Sequence, residues 1–249
     1  MIDFHTHLLP NIDDGSRDLE ESLEILSGQE AAGIKTILAT PHFYPDHDLD
    51  QFIEKRKAAL EELKEESKTR GIDIRLGAEV LLSVDTWQLE GIEALCIEGT
   101  HYILVELPYS HWSDWVYTSI EKLIAGKGLT PILAHVERYD TVYDEPNRLL
   151  PFLEMGCILQ ANAISLHPES SRRKLTLGLA KHGFIQLLGS DVHRSKGLHP
   201  VSIGYDTLEG KVGAAYVAKM KDIGHKILQD EKITLSGIKP FKKLFGKWY

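Results

Sequence analysis

A chain of 249 residues with 43% hydrophobic and 26% charged side chains has the length of one α/β barrel and the composition of a soluble globular protein. Its net charge of −9 argues against a general nucleic-acid binder, and no apolar run approaches the ~20 residues that span a bilayer. Cys96 and Cys157 are the only cysteines, and the residues six positions beyond them are Tyr102 and Ala163; this excludes a disulfide framework, a thiolate metal site and a cysteine nucleophile that needs an arginine at that spacing.

The opening, Met1-Ile2-Asp3-Phe4-His5, lacks a basic or apolar leader, so a cytoplasmic protein is expected. The first predicted strand, Ile2–His5, runs on to His7 and to Asn11-Ile12-Asp13-Asp14-Gly15, where glycine permits a tight loop. Leu19, Leu23, Leu26 and Glu30 then keep helical spacing. A second strand, Thr36–Thr40, leads to Pro41-His42, and Asp50–Thr69 reads as a helix. The third strand, Ile74–Glu79, ends on a carboxylate, and the fourth, Tyr102–Leu107, contains Glu106. After a helix over Ser113–Ala125, the fifth strand, Pro131–Ala134, runs into His135. Helices over Asn147–Met155 and Ser171–His182 flank the sixth strand, Ile158–Ala161. The seventh strand, Ile185–Gly189, precedes Asp191 and His193, and a helix over Val212–Gln229 closes the series.

Seven βα units in a row imply a parallel sheet with right-handed crossovers, covered on both faces by amphipathic helices. At this length a closed barrel is expected rather than an open sheet, and no Gly-rich dinucleotide turn follows strand one. With no repeat or linker, residues 1–249 read as one domain. Residues 239–249 differ in character. They hold four lysines (Lys239, Lys242, Lys243, Lys247) and no acid, interleaved with Phe241, Leu244, Phe245, Trp248 and Tyr249, which leaves −13 on the rest. A terminal helix or arm covering the barrel is the expected role, and weak contact with an acidic membrane surface or partner is the alternative.

The polar residues cluster at predicted strand ends: His5, His7, His42, Glu79, Glu106, His135, Asp191 and His193. In a parallel barrel these ends share one face, where active sites lie. In extended chain, residues i and i+2 point the same way, so His5 with His7, and Asp191 with His193, can each grip one ion. H-x-H alone is weak evidence; ligand types on six strand ends together are strong. His47, His101, His111, His167, His182, His199 and His225 lack such placement and read as surface or helix-flanking residues, with His199 a candidate for a substrate loop.

The segments Met1-Ile2-Asp3-Phe4-His5-Thr6-His7 with Asp13-Asp14-Gly15, Thr40-Pro41-His42, Gly77-Ala78-Glu79, Val105-Glu106, Ala134-His135-Val136-Glu137-Arg138-Tyr139, Gln160-Ala161-Asn162 and Gly189-Ser190-Asp191-Val192-His193 resemble the PHP (polymerase and histidinol phosphatase) superfamily. Within it they resemble the bacterial metal-dependent tyrosine phosphatases of capsule and exopolysaccharide export. The resemblance implies a distorted, TIM-like (β/α)7 barrel and two or three divalent ions, manganese first, with iron or zinc as alternatives. It implies a first ion on His5, His7, Glu79 and Asp191, a second on Glu79, Glu106 and His135, and a third on Asp14, His42 and His193. Arg138 matches the phosphate-binding arginine. The usual second arginine is replaced by Arg194-Ser195-Lys196-Gly197-Leu198-His199, where Arg194 or Lys196 is the expected substitute.

The implied reaction is phosphomonoester hydrolysis by a hydroxide bridging the first two ions. The third ion and Arg138 would bind phosphoryl oxygens, and His42 or His193 is a candidate proton donor. The expected substrate is the phosphotyrosine tail of a membrane-bound polysaccharide-export kinase, reached in the cytoplasm or at the inner membrane face. Alternatives are a small-molecule phosphatase of histidinol-phosphatase type, a non-catalytic metal-stabilised regulatory module, and a nuclease, the last disfavoured by the acidic body.

Overall fold

Short apolar runs bounded by Gly, Pro and polar residues form the strands, and longer segments with 3.6-residue periodicity form the helices. The computed structural model describes residues 1–198, 200–244 and 247–248, with backbone alone at positions 244 and 247. In chain order the elements are β1 (Ile2–Thr6), α1 (Leu19–Ala31), β2 (Thr36–Ala39), β3 (His42–Phe43), α2 (Leu49–Thr69), β4 (Asp73–Leu76), β5 (Glu79–Leu81), β6 (Tyr102–Glu106) and α3 (Asp114–Lys127). They continue with β7 (Thr130–Leu133), α4 (Asp140–Asp144), α5 (Leu150–Glu154), β8 (Ile158–Asn162), α6 (Arg173–Lys181), β9 (Leu187–Gly189), α7 (Val201–Lys211), α8 (Ala214–Leu228), β10 (Lys243–Leu244) and β11 (Lys247–Trp248).

Strands β1, β2 and β4 pair in parallel, as do β3, β5, β6, β7, β8 and β9 in that order. The two sheets make one wall, because β3 continues β2 and β5 continues β4. Pro41 has no N–H for the ladder, so the expected strand Thr36–Thr40 stops at Ala39 and resumes at His42. Its neighbour, expected over Ile74–Glu79, breaks likewise at Gly77-Ala78. Gly77 N donates to Ala39 O (2.9 Å) and Glu79 N to Pro41 O (3.0 Å), which carries the pairing across both breaks. On the far side Asp191 N donates to His5 O (2.8 Å) and His7 N to Val192 O (3.0 Å), joining the end of β9 to β1. The result is the expected distorted, TIM-like (β/α)7 barrel.

Alternation along each strand separates two cores. On β6, Ile103 and Val105 pack against the helices, while Tyr102 and Leu104 join Phe4, Ile132, Ile158 and Leu187 inside the barrel. Glu106 keeps the interior phase, so its carboxylate stands at the open end of an apolar channel. Ile223 and Ile227 of α8 plug the opposite end. A Cβ on Gly224 would lie 2.9 Å from Phe4 Cε2, so glycine is what lets this helix approach.

Two readings of the sequence need correction. The helix expected over Asn147–Met155 is a 3₁₀ turn (Pro146–Leu149) followed by the short α5, because Pro146 and Pro151 withhold two amide donors. Helix α7 was not expected, since Gly204 and Gly210 weaken its helical signal; Gly204 is there because a Cβ would crowd Leu188 at 2.9 Å. Of the two forms expected for the tail, its described residues take the arm. Lys239 N donates to His182 O (2.9 Å), Phe241 is buried against the His182 ring (3.8 Å between centroids), and Trp248 Nε1 donates to Asp144 O (2.7 Å). The expectations for His199, Phe245, Tyr249 and the side chains of Leu244 and Lys247 lie outside the described residues.

Candidate metal centre

The end of β1 sets the centre. The register against β2 shifts between Asp3 and Thr6, and such a bulge re-aims side chains. His5 and His7 Nε2 end 3.0 Å apart, both imidazoles fully buried. Asp3 anchors the turn from below, accepting from Gln29 Nε2 (2.6 Å) and from Ser190 N (2.8 Å), next to Asp191. Two residues expected as ligands sit in the left-handed region, His135 at φ 32° and Asp191 at φ 53°. Such conformations cost about 1–3 kcal/mol in a non-glycine residue and cluster at functional sites.

Glu79 is the hub. Its Oε2 lies 3.0 Å from His5 Nε2, 3.3 Å from His7 Nε2 and 3.1 Å from His42 Nδ1, and its Oε1 lies 2.8 Å from His135 Nε2. Glu106 reaches His135 at 3.5 Å. Asp191 Oδ1 lies 3.5 Å from His5, 3.4 Å from His7 and 3.5 Å from His193. Asp14 lies 3.5 Å from His42 and 3.4 Å from His193. The fold thus gathers all the expected ligands at one end of the barrel. Their grouping differs in detail from the expected sets. His7 stands with Asp14, His42 and His193 as well as with His5 and Glu79, and His42 also stands with Glu79 and Glu106.

A second ring of residues aims these side chains, and sequence reasoning had not separated it from the ligands. Asp13 Oδ2 meets His7 Nδ1 at 2.6 Å and accepts from His42 N at 2.9 Å, while Oδ1 accepts from Gly15 N at 2.9 Å. His7 therefore presents Nε2 to the cluster. Gly15 has no alternative, since a Cβ would lie 2.4 Å from His7 Cβ. On β8, Gln160 Oε1 accepts from His135 N (2.7 Å) and faces His5 Nδ1 (3.4 Å), and its Nε2 donates to Asn162 Oδ1 (3.0 Å). Asn162 Nδ2 donates to Asp191 Oδ2 (2.7 Å). Two buried amides at i and i+2 of an apolar strand were the available signal.

The residues fit divalent cations. Glu79 Oε2 and His135 Nδ1 are buried without a hydrogen bond, and imidazole nitrogens converge on that carboxylate oxygen. Burial disfavours charge on Glu79, yet the adjacent His5, the hydrogen bond with His135 and the nearby His7 hold its carboxyl well below the usual range. Burial likewise opposes protonation of His7, but Asp13, Asp191 and Glu79 outweigh it and raise its pKa well above the ordinary value. Burial and Glu79 together raise the pKa of Glu106. The carboxylates thus demand positive charge, and they raise the pKa of His5 as well as that of His7 against the cost of burial. Nitrogen and oxygen donors suit Mn, Fe or Zn. The cysteines take no part: burial pushes the Cys96 thiol up to about 12, and Cys157 is fully buried.

At the mouth, Arg138 Nη1 donates to Asp191 Oδ2 (2.8 Å), and its guanidinium lies 5.5 Å from the centre of the Tyr109 ring. Arg194 is drawn aside, donating to the Gly15 and His193 carbonyls and lying 3.8 Å from Glu21. Lys196 is exposed on the loop beyond.

A family model for capsular polysaccharide synthesis, CpsB/CapC, matches residues 1–228. The tyrosine-protein phosphatase CpsB of Streptococcus pneumoniae is 26% identical, the alignment covering 94% of this chain and all of that protein. The tyrosine-protein phosphatase YwqE of Bacillus subtilis is 29% identical over 99% of both chains. A crystal structure from a study of YwqE and CpsB, described there as metal-dependent tyrosine phosphatases, superposes with a TM-score of 0.87 at 25% identity over 98% of this chain and all of the other. Dihydropyrimidinase from Brevibacillus agri, at 13% identity over 96% of this chain and 73% of that enzyme, shares the fold with a TM-score of 0.51.

Proposed function

The chain belongs to the CpsB/CapC family of capsular polysaccharide synthesis proteins, and from that premise we propose that it is a metal-dependent protein-tyrosine phosphatase. The observation that carries the reading is the convergence of His5, His7 and His42 on one unbonded oxygen of Glu79. His5, His7, Glu79 and Asp191 would hold one ion, Glu79, Glu106 and His135 a second, and Asp14, His42 and His193 a third, with manganese the expected metal. Divalent ions bound there supply Lewis acidity at phosphoryl oxygens and make water acidic enough to ionise near neutral pH.

The chain's own groups do the rest. Arg138 spends one N–H on Asp191, and its planar fork has further donors for phosphate oxygens. Asp191 thereby couples the phosphate-binding arginine to the ligand cluster. His42 and His193, 15% and 30% exposed, are the more open imidazoles and so the candidate proton donors to the leaving oxygen. A phenolate leaves readily, which makes a strong acid unnecessary. Arg194, tied to the Gly15 loop, is assigned to holding that loop over the centre rather than to the phosphate.

Relatives of this size named as tyrosine-protein phosphatases support a phosphotyrosine substrate, and the tail of a membrane-bound polysaccharide-export kinase is the one we propose. Residues 1–249 would act as one domain at the cytoplasmic membrane face; among the described residues no helix is long and apolar enough to cross a membrane. The test is elemental analysis of the purified protein with turnover of a phosphotyrosine peptide and of histidinol phosphate. Bound metal, peptide turnover abolished by chelator and restored by Mn²⁺, and slow histidinol phosphate turnover are expected. Metal-loaded protein that hydrolyses neither substrate contradicts the reading; faster histidinol phosphate turnover redirects it to small molecules.

A further inference from the structure

Two tyrosine rings stand in the open beside the metal centre, and the reaction as described uses neither. Tyr44 is 38% exposed and Tyr109 47% exposed, though burial is the more common fate of aromatic area. Tyr44 lies 5.9 Å from the His42 ring and Tyr109 lies 6.1 Å from the His135 ring, within 25° of parallel. Those imidazoles hold opposite oxygens of Glu79, His42 on Oε2 at 3.1 Å and His135 on Oε1 at 2.8 Å. The tyrosines therefore bracket the mouth from two sides. Arg138 sits on the Tyr109 side at 5.5 Å. On the Tyr44 side a cavity of 520 Å³ opens off Asp14 and His42, its wall mixing Ile12, Tyr44 and Phe52 with the polar Asp48, Gln51 and Lys55.

We infer that Tyr44 and Tyr109 are specificity-determining walls of a slot that receives the aromatic ring of an aryl phosphate. The inference rests on the phosphatase reading above. In a phosphotyrosine the ring is bonded directly to the ester oxygen, so a phosphoryl group at Arg138 and the cluster places that ring at the mouth. A phosphoserine offers only a methylene there and gains nothing from aromatic walls. Stacked or edge-on contact between rings is worth about two- to tenfold per pair. The cavity beyond Tyr44, where Ile12 and Phe52 stand among Asp48, Gln51 and Lys55, would take the peptide as it leaves the slot.

The experiment measures kcat/KM of the Mn²⁺-loaded full chain on a phosphotyrosine peptide and on a phosphoserine peptide of the same sequence. Both substrates are run with Tyr44→Ala, Tyr109→Ala, the double variant and the Tyr→Phe controls. Dividing each variant's ratio by the wild-type ratio cancels the intrinsic advantage of the phenolate leaving group. The expected result is a fall of about two- to tenfold in that ratio for each alanine and about the product in the double variant, with the phenylalanine variants keeping the wild-type ratio. An unchanged ratio in the double variant overturns the slot. Equal losses on both peptides also overturn it, because they would mean the tyrosines only support His42 and His135. Wild-type protein that is loaded with metal yet hydrolyses neither peptide would instead remove the phosphatase reading on which the slot depends.

Discussion

The two ends of the barrel are built from the same strands and have opposite chemistry. At one end Phe4, Leu104, Ile132 and Leu187 close on Ile223 and Ile227 of α8, with Gly224 letting the helix approach. At the other, a few residues further along the same strands, His5, His7, Glu79, Glu106, His135 and Asp191 crowd together with left-handed backbone at two positions. The apolar end gains free energy by burial. The polar end spends some of it on strain and on like charges held close. The lesson is a division of labour along each strand: one half stabilises the fold, and the other is poised for cations.

That contrast is breakable. The largest expected effect is His135→Ala at the polar end. Loss of one preorganised electrostatic group costs about 10²–10³ in turnover, so turnover of a phosphotyrosine peptide per folded molecule should fall by at least that much, while the metal-free chain stays folded but loses some thermal stability with the buried His135–Glu79 hydrogen bond. Wild-type turnover in this variant would break the comparison at its polar end. Ile227→Ala tests the apolar end. A buried Ile→Ala change costs about 2–5 kcal/mol, which urea unfolding should read directly, with turnover per folded molecule unchanged.

Asp13→Ala sharpens the boundary between ligand and support. Residues that orient ligands alter metal affinity or activity by about 10- to 100-fold, and a Mn²⁺ titration should show a loss of that size with saturating metal restoring much of the turnover. Full metal affinity in this variant would return Asp13 to a loop-forming role. The smallest effect is expected at Asp222→Asn, on the outer face of α8, where Asp222 pairs with Lys226 at 2.6 Å. Exposed pairs of this kind contribute little, so the urea midpoint should not move, which confines the importance of α8 to its buried face.

Much of this contrast was legible in the residues. Apolar runs ending in His or Glu located the seven strands and the rim, because a buried carboxylate such as Glu106 demands a partner. The short strand that resumes at His42 beyond Pro41 was not legible, nor was the break at Gly77-Ala78, since Ile74–Glu79 stays apolar enough to read as one strand. Helix α7 was hidden by Gly204 and Gly210, and a tertiary contact with Leu188 and Ala163 accounts for Gly204. At the centre, ligand types were visible, but the division between Asp13 and Asp14 depends on which carboxylate meets His7 Nδ1, and spacing does not encode that. The amides Gln160 and Asn162 stand out in the sequence only as part of a motif, and their burial in the fold supplies the physical reason. The basic tail's path along α6 depends on Phe241 finding His182, a pairing about sixty residues apart that no local pattern announces.

The central claim is that remote imidazoles and carboxylates form a cage for divalent ions. Anomalous X-ray scattering from a crystal of the full chain grown with Mn²⁺, recorded on either side of the Mn absorption edge, tests it directly. The account predicts anomalous peaks bonded to Glu79 and to at least two of His5, His7, His42 and His135. A map with no such peak at that end of the barrel, from protein active on phosphotyrosine peptide, would contradict it.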